Sequence, residues 1–396
     1  MDNITHLIQR SGNLFKEDID KFESTLTEIV RGSSFLVLGG AGTIGQAVVK
    51  EIFKRKPKRL HVVDISENNL VELVRDIRSS IGYIPGDFQT FTLDVGSLVY
   101  DCFFTANSPY DYVLNLSALK HVRNEKDPFT LMRMIEVNVL NTLKTIQQSR
   151  ISGARKYFCV STDKAVNPVN MMGGSKRIME LFAFQQSRFV DISMARFANV
   201  AFSDGSLLYS FSQRFLKRQP IVAPHDVKRY FITPKESGEL CLLSCLMGEN
   251  RDIFFPKLSE ELSLTSFADI AERYIVSKGY KPYICKSEEE ARKLIKTLPE
   301  EGFWPCLFTS SDTTGEKQFE EFYSDGETID MNRFQSIGII KNDFYLNDNG
   351  VQVFIETIQS MLNRRNWTKE ELVTLFHKIL PSFTHLEKEK YLDSKM

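Results

Sequence analysis

Ser161-Thr162-Asp163-Lys164 sets hydroxyls, a carboxyl and an amine side by side, and a second amine, Lys176, follows twelve residues after Lys164. Such a set can bind a substrate oxygen, move a proton and steady a developing charge. A lysine serves as a base only when its pKa is lowered, by burial or by a neighbouring cation such as Lys176. A carboxyl serves as an acid only when its pKa is raised, which is the expectation for Asp163. Taken singly, Asp163 and Lys164 also fit a solvated loop pair, and Lys176 a surface helix lysine. Their joint placement is what argues for chemistry.

A second group works through its backbone. Gly40, Gly42 and Gly45 have the G-x-G-x-x-G spacing, and Gly39, Gly42 and Gly45 a wider variant. Glycines there allow a tight turn, close approach to a pyrophosphate and tight packing of helix on strand. A helix starting at Thr43 and Ile44 then offers N–H groups and a positive dipole end to phosphates. Asp64 closes the next strand-like run, 19 residues after Gly45, with Ser66 on the same rim. An acid there bonds ribose hydroxyls and repels a 2′-phosphate, which favours NAD over NADP. Asp94, followed by Val95, closes the third run and can bond the adenine, although an exposed strand-end Asp fits nearly as well. Leu116-Ser117-Ala118 closes the fourth, where small residues let a cofactor pass; core packing fits about equally.

These residues need a scaffold that gathers strand ends. Apolar runs at 34–39, 59–64, 88–94, 111–117, 156–161 and 191–197 read as strands. Helical patterns fall between them, at 43–54, across NNLVELVRDIRSS, from about Phe129 to Ser149 and at 171–187. This alternation predicts an α/β fold: a Rossmann-type doubly wound parallel sheet whose strand ends face one crevice. Residues 1–31 read as an amphipathic helical leader and 32–202 as the dinucleotide-binding domain, with some later segments returning to it. Residues 203–345 read as a smaller mixed α/β substrate-binding lobe and 346–396 as a C-terminal helical extension. Within that extension, Thr368 and Glu371 form a capping box.

The 396 residues are 42% hydrophobic and carry 50 basic and 51 acidic side chains, so a packed core is feasible and bulk attraction to nucleic acid is excluded. The six scattered cysteines argue against a zinc site or a disulfide framework, and no carboxylate or histidine spacing suggests a metal. No secretory signal and no 18-residue apolar run are present, so a cytoplasmic protein without a membrane span is expected. His61 reads as a satisfied core or edge residue.

Several strings together resemble a family. GGAGTIG, LNLSALKHV (114–122), STDKAVNPVNMMGGSK (161–176), ARFANV (195–200), RYFIT (229–233), DIFFPKL (252–258) and TGEK (314–317) are similar to the extended short-chain dehydrogenase/reductase superfamily. Within it they look most like the UDP-N-acetylglucosamine 4,6-dehydratases of polysaccharide and legionaminic-acid-type synthesis. The resemblance implies NAD as cofactor, UDP-N-acetylglucosamine as substrate and a homo-oligomer. It implies hydride transfer from C4 to C6 with loss of water, and C5 retention. Lys164 would be the C5 base, Asp163 the acid at the C6 hydroxyl, Thr162 the C4-oxygen donor and Lys176 the nicotinamide-ribose ligand. Lys120, His121, Asn199, Arg229 and Glu316 would line the nucleotide-sugar side. His121 fits a structural role equally, and Arg229 fits a surface arginine.

Two departures stand out. The superfamily places Tyr four residues before the helix lysine; here that residue is Met172, as in a subset of these dehydratases. A thioether moves no proton, so Asp163, directly or through water or Thr162, is the candidate for the C4 proton. Thr313-Thr314 replaces the Arg-Pro that usually precedes Gly-Glu-Lys. The competing readings are a UDP-sugar 4-epimerase, which normally needs the Tyr, and a non-catalytic NAD-binding protein.

Overall fold

A computed structural model describes residues 3–259, 262, 264–311, 321–341 and 348–387. The helical leader forms two helices, α1 (Asn3–Leu7) and α2 (Lys16–Arg31). The break has a physical cause. Gln9 takes a positive φ of 60°, and the buried Arg10 guanidinium turns inward to pair with Glu236 and to donate to Phe231 O at 3.2 Å. Asn13 donates to both carboxylate oxygens of Glu239. Tethering the leader to the main body therefore outweighs the helical period.

Residues 34–197 then alternate strictly. β1 (Ser34–Leu38), α3 (Thr43–Phe53), β2 (Arg59–Asp64), α4 (Glu67–Ser80), β3 (Asp87–Thr92), α5 (Leu98–Asn107) and β4 (Tyr112–Asn115) come first. α6 (Pro128–Ile135), α7 (Asn141–Ile151), β5 (Lys156–Thr162), α8 (Met171–Gln186) and β6 (Asp191–Phe197) follow. The inner strands β1, β4, β5 and β6 are largely buried because both sheet faces are covered there, whereas the edge strand β3 (DFQTFT) has no fully buried residue. The expected single helix from Phe129 to Ser149 is divided by a π turn at Glu136–Leu140. There the buried Asn138 accepts from Leu119 N–H and donates to Leu119 O and Ser175 Oγ, tying the exit of β4 to α8.

The second half is less regular. β7 (Asn199–Val200), α9 (Leu207–Leu216), β8 (Ile221–Pro224), β9 (Lys228–Arg229) and β10 (Phe231–Ile232) lead to α10 (Pro234–Met247) and β11 (Asp252–Pro256). β12 (Thr265–Ser266), α11 (Phe267–Ser277), β13 (Lys281–Ile284), α12 (Glu288–Leu294) and β14 (Phe303–Thr309) follow. β15 (Thr328–Asp330), β16 (Ile337–Lys341), α13 (Asp348–Arg364) and α14 (Lys369–Ile379) complete the chain's described elements. The capping box at Thr368 and Glu371 is present at the start of α14.

The large sheet has the order β15-β16-β11-β6-β5-β4-β1-β2-β3. Its strands are parallel from β11 to β3, and β15 and β16 add an antiparallel edge. The order reverses between β1 and β4, so their carboxyl ends open the crevice where such sheets bind ligands. β8, β13 and β14 form a separate parallel sheet in the lobe, which has its own core around Phe211, Ile221, Tyr274 and Trp304. A third core lies between α6–α8 and α13–α14. No described helix is long and apolar enough to cross a membrane.

Candidate functional site

The crevice is built first from backbone. Gly39 has φ +70°, and a Cβ on it would lie 2.6 Å from Ser117 N, so the phosphate turn closes directly on the Leu116-Ser117-Ala118 wall. A Cβ on Gly45 would lie 2.2 Å from Gly39 O, which seats α3 tightly under the turn. Gly42 is the N-cap of α3 and supplies no side-chain cap, so the first-turn N–H groups suit an anion. Asp64 braces this rim: one carboxylate oxygen accepts Ala41 N–H and the other Ser66 N–H, each at 2.9 Å. Ser66 in turn caps α4. Asp94 accepts Gly96 N–H and pairs with Arg133 at 2.8 Å, with Val95 buried beside it. Uncapped turn, strand-end acid and close-packed glycines fit a dinucleotide.

The candidate catalytic turn starts where β5 ends. Thr162 Oγ1 donates to Asp163 Oδ1 at 2.9 Å and accepts Lys164 N–H. Lys164 Nζ reaches the same Asp163 oxygen at 3.0 Å and Asn199 Oδ1 at 3.5 Å. The structure thus brings Thr162, Asp163, Lys164 and Asn199 into one cluster. Asp163 is buried, which removes the solvated-pair alternative. The charged partner described for Lys164 is the anion Asp163, not the expected cation Lys176.

Lys176 is buried as well, so it is not a surface lysine. Its Nζ donates to Val160 O at 3.1 Å, placing the amine against β5. Burial pushes its pKa down to about 8, against the pull of Cys159 and Glu180. Met172 is buried in the first turn of α8, and its N–H donates to Glu125 Oε1 at 2.9 Å.

On the substrate side, Lys120 Nζ donates to Ser203 Oγ at 3.4 Å. Burial lowers the pKa of Lys120, with Asp204 opposing. Burial also lowers that of His121, and the cations Lys120 and Arg123 add to the effect. Asp204 N–H donates to Thr43 Oγ1 at 2.9 Å, which links this loop to the phosphate turn. Arg229 is buried on β9 and donates to Lys228 O, so the surface-arginine alternative falls; its described bond stays within the lobe. Glu316, with Thr313-Thr314, lies outside the described residues. His61 is a satisfied core residue, bonded to Tyr110 and Asp87.

A buried ion network behind the turn was missed in the sequence. Glu180 Oε1 accepts Ser161 Oγ–H at 2.6 Å, and both Glu180 oxygens receive Arg196 at 2.9 Å. Arg196 also forks onto Glu327 and donates to Phe322 O. Burial alone would raise Glu180, but Arg196, Arg177 and Ser161 outweigh it and hold the carboxyl at about 2. A cavity of about 150 Å³ lies between this network and the catalytic turn, lined by Asn167, Pro168, Arg177, Glu327 and Ser382 among others. The signal was in ARFANV and SKRIME, but periodicity cannot say that two buried charges meet. Among the described residues no group of three His, Cys, Asp or Glu side chains could hold a metal.

Residues 35–341 match the family described as polysaccharide biosynthesis protein. The chain belongs to that family. An uncharacterized membrane protein, MJ1061 of Methanocaldococcus jannaschii, is 29% identical over 75% of this chain and 87% of its own length. Among solved structures, Pen from Bacillus thuringiensis superposes with a TM-score of 0.64 at 21% identity, over 83% of this chain and 98% of that one. The Bordetella bronchiseptica enzyme WbmF, solved with NAD+, gives 0.50 at 17% identity, over 63% and 79% of the two chains. These likenesses show the fold. In this polysaccharide biosynthesis protein, the family match stops at residue 341, so α13 and α14 lie outside that match.

Proposed function

We propose that this chain is a NAD-dependent UDP-N-acetylglucosamine 4,6-dehydratase that retains C5 configuration. The observation that carries the reading is the Thr162-Asp163-Lys164-Asn199 cluster around the buried Asp163 at the end of β5, with Met172 where a tyrosine base would stand. A 4-epimerase has no use for an acid and a base at C5 and C6, whereas a dehydratase needs both. WbmF, a structural neighbour, was solved with NAD+, and the phosphate turn has the backbone for the same cofactor. The glycine turn and Asp64 would hold its pyrophosphate and ribose, and Lys176 its nicotinamide ribose. When bound, NAD accepts hydride from sugar C4 and returns it to C6.

The chain's own groups handle the protons. Thr162 Oγ1 bridges toward Asp163, so a proton from the C4 hydroxyl passes through Thr162 to the carboxylate. The 4-keto group acidifies C5–H. The C4 proton makes Asp163 a carboxylic acid, and Lys164, having lost its anionic partner, releases its own proton to solvent and stands as an amine; that proton is regained after turnover, when Asp163 is again a carboxylate. Desolvation of the closed site favours that amine, because burial penalises the ammonium charge. The amine takes the C5 proton, the acid protonates the departing C6 hydroxyl, and water leaves. Lys164 then returns a proton to C5 as hydride reaches C6. Arg229 would clamp the diphosphate by its fork of donors, and Lys120, His121 and Glu316 would contact the nucleotide sugar.

Proton NMR of the purified protein with UDP-N-acetylglucosamine in D2O tests this. The expected result is a C6 methyl signal with deuterium at C5. Conversion to the galacto epimer alone would replace the reading with an epimerase. No change with any UDP-sugar and added NAD would favour the non-catalytic binding protein.

A further inference from the structure

Residues 348–387 lie beyond the segment matched to the family, yet they pack against the helix that carries Met172 and Lys176. Phe354, Phe376 and Leu375 complete a core with Leu131, Ile135 and Phe182 of α6 and α8. The contact with α8 is close: a Cβ on Gly174 would lie 2.9 Å from the Phe376 ring and 3.3 Å from that of Phe383. After α14 the chain runs back along the segment that joins the catalytic turn to α8. Thr384 N–H donates to Pro168 O at 3.4 Å and Leu386 N–H to Val169 O at 2.9 Å.

Between those two bonds His385 turns inward. Its Nε2 lies 3.3 Å from Glu125 Oε2, within hydrogen-bond reach of that carboxyl. Glu125 is fully buried, and its other oxygen accepts Met172 N–H, one of the helix-start donors that have no partner within the helix. A buried carboxylate needs several donors to stay where it is. His385 can supply one from outside the segment matched to the family.

We propose that His385 is a positioning residue of the catalytic centre: through Glu125 it fixes the first turn of α8, and with it Lys176, against the catalytic turn. Its effect on turnover rests on the dehydratase reading, whereas its effect on α8 does not.

The test uses the full chain with His385→Ala and His385→Gln, whose amide can donate the same bond. In His385→Ala, hydrogen exchange should rise about tenfold over 165–176 and stay unchanged in β1–β4, with co-purified NAD retained. The kcat should fall about tenfold while KM for the UDP-sugar changes less than about twofold. His385→Gln should restore both. Unchanged exchange over 165–176 in His385→Ala would overturn the proposal. So would an even rise across the whole chain that Gln does not repair. If the wild type turns over no UDP-sugar, the dehydratase reading fails while the exchange data still decide this one.

Discussion

The phosphate turn at 39–45 and the catalytic turn at 162–165 sit on neighbouring parts of the same sheet edge but are made in opposite ways. The first is backbone: glycines packed on glycines and on Ser117, with Asp64 as its one charged brace. The second is side chain: Thr162, Asp163 and Lys164 bond one another, and the turn is tied to residues distant in sequence. Lys164 reaches Asn199, Ser161 reaches Glu180, and Glu180 reaches Arg196 and through it Glu327. A backbone site tolerates little change in shape but much in the charge around it. A side-chain site should respond to the loss of single charges far away.

The largest expected effect breaks the first site outright. Gly45→Val puts atoms where Gly39 O already lies, so the purified variant should carry no NAD, measured by the nucleotide released on denaturation. Retained NAD would show that α3 can shift, and the contrast between the two sites would weaken. Next comes Glu180→Gln, which leaves Arg196 short of one of two buried carboxylates. Breaking such a pair costs about 3–5 kcal/mol, read from denaturant unfolding.

The same variant sharpens the comparison through pH. Lys176 has its pKa lowered to about 8 by burial, with Cys159 and Glu180 pulling it back up. Its positive charge is present below that pH and lost as pH rises through it, so kcat should fall on the alkaline side. Without Glu180 that limb should move to lower pH. A limb that stays put would remove Lys176 from the role. The smallest effect is expected at the phosphate side: Arg133→Ala removes a half-exposed partner of Asp94 and should cost less than about 1 kcal/mol.

This contrast also explains what the sequence could tell. The glycine turn, Asp64 and the six strands from 34 to 197 follow from local spacing and a period, and local rules read them. Thr162, Asp163 and Lys164 were legible as candidates because the fold gathers strand ends, and Asn199 through the family resemblance of ARFANV. Their partners were not. Glu125, Arg196 and Glu327 are ordinary charges in one dimension, and only packing makes them buried. The break within the leader and the π turn at Glu136–Leu140 escaped a local reading for a related reason. Arg10, Asn13 and Asn138 give up helical regularity for bonds to residues far along the chain.

The central claim is that a carboxylate, not a tyrosine, begins the reaction. Asp163→Asn keeps the shape of the turn but cannot take the C4 proton. Mixing this variant, loaded with NAD, with UDP-N-acetylglucosamine and following the NADH absorbance tests the claim most directly. The account predicts neither NADH nor a C6 methyl product, while the wild type makes both transiently or in full. Normal NADH formation in the variant, with dehydration alone abolished, would contradict it and leave the C4 proton to another group.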